Sequence, residues 1–181
     1  MKPRLARRII LSLLMATALY AIFGIGAYSD LSESEAEARA KELENLTLQI
    51  DSPLQIFLNN FGLSLIMAIP FAGPLFAGWV SYETGRYVAA LALLNNIDAI
   101  FLLIIPIITF YGVVEFAGYG GMVMGGTLMA YRILRRRGRE ELKWYLLTIL
   151  ASGVVILVAA LIEYAVIALL QNVIQEAAQY I

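Results

Sequence analysis

An all-α fold is predicted, a polytopic transmembrane helical bundle of about five spans with one kinked span and a proline-broken third/fourth hairpin. Three observations lead there. Hydrophobic residues make up 61% of the 181 and charged residues 15%, against roughly 45–50% and 25% in a soluble domain. The apolar residues fall in runs near twenty residues long, and the charges gather in a few short stretches between them. A 20.0 kDa globule has too little interior to hide so much apolar surface, so most of it must face lipid. The chain has no cysteine and no histidine. That removes disulfides, zinc sites, thiol or histidine-activated nucleophiles and histidine proton relays. No cofactor and no metal are expected. With the charges segregated at span ends, nucleic acid is not an expected partner either.

The first span is placed at 9–27, behind the basic residues Lys2, Arg4, Arg7 and Arg8. Nineteen helical residues reach ~28 Å, close to the bilayer hydrocarbon thickness. The run is longer than the 7–15 residues usual in a signal peptide, so it is taken as a retained helix. Residues 28–52 form the one long polar stretch, with seven acidic side chains against Arg39 and Lys41. Ser32 and Glu35 have capping-box spacing and SESEAEARAKELENL is rich in helix formers, which predicts an acidic helix over about 31–50. Asn45-Leu46-Thr47 is a glycosylation sequon. The second span is placed at 54–80 and is expected to kink or break at Pro70, Gly73 and Pro74. A short turn over Ser81–Arg86 follows.

Residues 87–131 are 45 mostly apolar residues without a charged loop. As one helix they would reach ~67 Å, so two passes are needed. Pro106 is the natural break, which places spans at 87–105 and 109–131. A cluster of six basic residues from Arg132 to Lys143 forms the next loop, and the fifth span runs 144–170 behind Trp144 and Tyr145. The positive-inside rule puts the N-terminus and the 132–143 loop in the cytoplasm, and the acidic helix and the C-terminus outside the cell membrane.

Five polar groups then fall at similar depth near the outer face: Asn59, Asn60, Asp98, Glu115 and Glu163. An intramembrane carboxylate costs about 2–3 kcal/mol or more, so these groups should face protein or water. They are either an outward chamber for a cation or proton, or hydrogen-bonded glue between helices. Ala117, Gly121 and Gly125 lie four apart and form a small-residue stripe for close packing, against this chain or a second copy of it.

The stretch PIITFYGVVEFAGYGG, from Pro106 to Gly121, resembles the stage II sporulation protein M family of small multi-pass membrane proteins. So do IFLNN at Ile56–Asn60 and Thr84-Gly85, and the likeness extends over about Leu54 to Leu134. Gly112 and Glu115 keep the family spacing of a glycine and a glutamate three residues later. Tyr111 stands where the family often has histidine, Pro106 is displaced from it, and Thr84 replaces a frequent asparagine. The resemblance implies a non-enzymatic component that holds partners of a membrane-remodelling machinery at the membrane. Its contacts would be lipid, a homo-oligomeric copy, or proteins docking on the acidic outer helix or the basic cytoplasmic loop. The other reading is a small transporter or channel for a cation or proton, using the intramembrane carboxylates.

Overall fold

The computed structural model describes residues 3–47 and 52–178, with side chains over 5–46 and 52–171. Lys2, the side chain of Arg4, the end of the acidic segment at 48–51 and the final residues of the tail lie outside the described residues. Among those described there are seven helices and no strand. They are α1 (Pro3–Ala27), α2 (Glu33–Thr47), α3 (Pro53–Met67), α4 (Gly73–Leu94), α5 (Ala99–Ile108), α6 (Tyr111–Leu134) and α7 (Gly138–Ala178).

The caps follow the sequence closely at the polar ends. The Glu35 amide donates to Ser32 Oγ at 3.3 Å, and the Ser32 amide donates back to Glu35 Oε2 at 3.1 Å. That is the reciprocal capping box expected for α2. Ser52 accepts from the Gln55 amide ahead of Pro53 in the first turn of α3, where a missing N–H costs nothing. Asp98 accepts from the Ile100 amide at 2.9 Å and starts α5.

At Pro70 and Pro74, where a kink or a break was expected, the helix breaks fully, and four other joints differ from expectation. α3 stops at Met67, Phe71 takes a left-handed backbone (φ 69°), and α4 starts at Gly73 with Pro74 in its first turn. The proposed turn at Ser81–Arg86 is helical and lies within α4. Gly85, which suggested a turn, instead lets α4 touch the backbone of Phe23 and Gly26 in α1. Residues 87–105 are therefore not one span but the end of α4, a turn over 95–98 and the start of α5. Pro106 sits inside α5, and the break comes three residues later at Thr109 and Phe110 (φ 68°). Pro106 instead forms a platform against which Gly112 packs, and α5 and α6 meet at 82°. The basic loop contracts to a tight turn at 135–137, closed by Arg137 N–H to Arg132 C=O at 2.8 Å, so Arg139 and Lys143 already belong to α7.

α6 is the axis of the molecule. It lies against α7 through Gly118, Gly121 and Gly125, against α1 through Gly120, and against the end of α3 through Gly126. Leu19, Met67, Ala77, Met122, Val123 and Ile156 close the core around it. Phe23, Ala27, Ala92 and Leu103 form a second cluster where α1 meets α4 and α5. The outward faces of α1 and α7 carry exposed Ile10, Leu13, Leu14, Leu150, Val154 and Leu161, as a lipid-facing surface requires. α1 and α7 are long and apolar enough to cross a membrane, and the bent α5–α6 pair is a third such segment if counted as one.

Candidate functional site

Glu115 lies in the second turn of α6, and its Oε1 accepts two hydrogen bonds. Asn60 Nδ2 of α3 donates at 2.6 Å and Tyr119 Oη, one turn along α6, donates at 2.7 Å. Asn59 Nδ2 in turn donates to Asn60 Oδ1 at 3.3 Å, with the rest of Asn59 exposed. Glu163 of α7 comes within electrostatic reach of Glu115, Tyr111 and Tyr119. Three helices thus meet in one polar knot. Below it α6 continues through Met122, Val123 and Met124, all at most 5% exposed.

Asn59, Asn60, Glu115 and Glu163 are brought together; Asp98 is not. Asp98 caps α5 and accepts from Tyr28 Oη at 3.0 Å, at the far end of α1. The Ile100 amide and the Tyr28 hydroxyl hold the exposed Asp98 carboxyl below the usual carboxylate range, and the same bond raises the Tyr28 phenol. Of the proposed packing stripe, Gly121 meets Ser152 and Gly125 meets Thr148, both on α7. Ala117 is half-buried, and its place towards α7 falls to Gly118, which sits on Ile156.

The opposite end of the bundle carries a charge cluster that the sequence did not single out. Arg8 of α1 donates to Glu141 Oε1 of α7, and Arg132 of α6 lies 3.6 Å from the other oxygen. The Arg8 guanidinium also sits over the Trp144 ring, 5.1 Å from its centre, in cation–π range. Glu141 is 4% exposed. Tyr119 was legible as a partner of Glu115 at i+4 on one helix face. The Arg8–Glu141 pairing joins residues 133 apart and left no local signal beyond two adjacent carboxylates, Glu140 and Glu141, among many cations.

The knot offers a carboxylate, a second carboxylate nearby, two amides and two phenols. Such a set can hold a proton or bind helices together by hydrogen bonds. Among the described residues no group of three His, Cys, Asp or Glu side chains could hold a metal ion. No protein family, curated protein or solved structure matches the chain.

Proposed function

We propose that this chain is a non-enzymatic integral membrane protein that serves as a scaffold or subunit of a membrane complex, as the likeness to stage II sporulation protein M implies. The observation that carries the reading is the closed core beneath the polar knot. Between Tyr119 and the Arg8–Glu141 cluster the interior is packed by Met67, Met122, Val123 and Ile156, each at most 3% exposed, with the buried hydroxyls of Ser64 and Ser152 set among them. A conduit would need a continuous wettable path through that depth, and two separate hydroxyls, that of Ser64 already donated to Phe61 C=O, do not make one. A knot confined to one end, with both amides and a phenol already committed, does the work of tying α3 to α6 beside Glu163 of α7.

In this reading five helices are embedded in the membrane: α1, α3, α4, α6 and α7. Glu115 is 17 residues from Arg132, or ~26 Å along α6. Glu163 is 22 residues from Glu141, or ~33 Å along α7. The two clusters therefore mark opposite faces of a bilayer ~30 Å thick. The arginine end is cytoplasmic by the positive-inside rule, with the N-terminus inside and α2 and the C-terminus outside. α3 descends from the outer face beside α6, and Ala68 C=O accepts from Tyr145 Oη. α4 climbs back, so that Gly85 meets Gly26 at the outer end of α1. α3 and α4 form a hairpin whose uncharged tip stops one to two turns short of the cytoplasmic arginines.

The test is cross-linking in native membranes followed by purification and mass spectrometry. A stoichiometric partner, lost when the acidic face of α2 or the exposed arginines at 135–139 are altered, is expected. A homo-oligomer that carries no partner and conducts protons or cations in liposomes, with the flux abolished by Glu115→Gln, would replace the scaffold with the transporter.

A further inference from the structure

α2 and α4 leave an open groove of about 430 Å³ between them, lined by Arg39, Glu42, Trp79, Glu83, Arg86 and Tyr87. That volume suits a small ligand. Its two cations are unequally served. Arg39 donates to Glu83 at 2.8 Å and lies over the Tyr87 ring at 5.4 Å. Arg86 has only long ion-pair contacts among the described residues, 3.5 Å to Glu83 and 3.8 Å to Glu35, and its Nε is buried without a partner. A guanidinium presents five donors in a fixed fork suited to carboxylate or phosphate. Arg86 is thus under-satisfied, and it is the part-exposed Nη1–Nη2 end of its guanidinium, not the buried Nε, that an acceptor in the groove reaches.

The charge balance narrows what can enter. Glu35, Glu42 and Glu83 outnumber the two guanidiniums, which disfavours a simple anion; a simple cation would meet Arg39 and Arg86. A ligand carrying both signs fits. The depth of the groove narrows it further. Gly78 packs on Ile22, and Gly26, next to last in α1, packs on the backbone of Tyr82. Trp79, 60% exposed, therefore lies about one turn inside the end of α1, where interfacial tryptophans sit. The charged residues lie just beyond it, towards water.

We propose that this groove binds the headgroup of a zwitterionic phospholipid with a primary amine, its phosphodiester on Arg86, its ammonium towards Glu42 and its glycerol against Trp79. The proposal rests on the membrane placement given above. A primary ammonium donates hydrogen bonds to carboxylates and a quaternary one cannot, so phosphatidylethanolamine is preferred to phosphatidylcholine. The bound lipid clamps α2 to the outer surface, next to the face offered to partners.

The test uses the full chain in detergent, with dioctanoyl phosphatidylethanolamine, phosphatidylcholine and phosphatidylglycerol added separately, and inorganic phosphate with ethanolamine as a fourth arm. Native mass spectrometry reads retained lipid, and thermal unfolding reads stabilisation. Phosphatidylethanolamine is expected to bind best, with Arg86→Gln weakening it about tenfold through loss of a charge-assisted hydrogen bond. Glu42→Gln, on an exposed position, is expected to erase the preference over phosphatidylcholine while leaving the fold intact. Equal binding of all three lipids, a preference for phosphatidylglycerol, equal stabilisation by inorganic phosphate, or unchanged binding in both variants would overturn the site. Such a failure leaves the membrane placement standing if cysteines label from the expected sides, so the two claims can be separated.

Discussion

At the scale of single residues, the surroundings of the glycines differ, and two groups of them make opposite predictions. A Cβ on Gly120 would meet Ser12 C=O and Ala16 of α1, one on Gly126 would meet Ala68 C=O, and one on Gly26 would meet Tyr82 C=O. Each faces backbone, which cannot swing aside. Gly24 and Gly62 have nothing within 4 Å of the same position. Gly120→Ala and Gly126→Ala are therefore expected to destabilise by ~1–3 kcal/mol, as overpacking does. Gly24→Ala and Gly62→Ala are expected to be neutral or to stabilise by up to ~1 kcal/mol, since helical glycine is entropically costly. Thermal unfolding in detergent reads both sets, and equal losses in the two would contradict this packing. The spacing of Gly121 and Gly125 was readable from the sequence. That Gly118, Gly120 and Gly126 turn towards three different neighbours was not, because a helix with glycine on every side has no face that sequence alone can single out.

At the scale of elements, legibility followed the range of the signal. The capping box of α2 is local, and the helix appears where Ser32 and Glu35 place it. The break expected at Pro106 was misplaced, whereas the chain does break at Pro70, one of the two outcomes expected there. Pro70 is followed by the left-handed Phe71 and ends a helix; Pro106 is absorbed near the end of α5, and left-handed Phe110 makes the bend. Neither phenylalanine is a residue that favours φ > 0, so tertiary packing holds both against local preference. α2 yields a pH prediction. The Ser32 amide and hydroxyl hold the exposed Glu35 carboxyl below its usual range. A depressed carboxylate contributes stability above its unfolded value of about 4.3 and loses it as pH falls through the lower folded value. The first turn of α2 is thus expected to protect its amides at pH 6 and to fray progressively below about pH 4.3. Ser32→Ala should remove ~1 kcal/mol of that protection at neutral pH. Hydrogen exchange over residues 33–39 measures both, and protection that is flat with pH and unchanged in Ser32→Ala would deny the cap its role.

At the scale of the whole molecule, two clusters fasten the bundle at its ends and the glycine helix α6 joins them. The arginine end binds α1, α6 and α7 through one nearly buried carboxylate. Glu141→Gln is expected to cost ~3–5 kcal/mol, because it leaves Arg8 buried without its counter-charge. Arg8→Met with Glu141→Met together should cost less than the two single changes summed, and an additive result in thermal unfolding would show that the pair does not couple. That the chain is helical with apolar segments long enough to cross a membrane was legible from composition and apolar length; five spans with the expected boundaries were not, since two helices, or three with the bent α5–α6 pair, have that length. Length cannot separate one kinked crossing at 54–80 from a hairpin whose second arm runs on through Ser81–Arg86. The most direct test of the architecture uses the absence of cysteine, since single cysteines can be introduced without background. Cysteines at Ser34, Ala72 and Arg135 would be labelled with a membrane-impermeant maleimide, in intact and in permeabilised cells. The expected result is Ser34→Cys labelled from outside, Arg135→Cys labelled only after permeabilisation, and Ala72→Cys, at the hairpin tip, labelled in neither. Labelling of Ala72→Cys after permeabilisation would make α3 a full crossing, and labelling of Ser34→Cys only from inside would invert the protein; either would contradict the account.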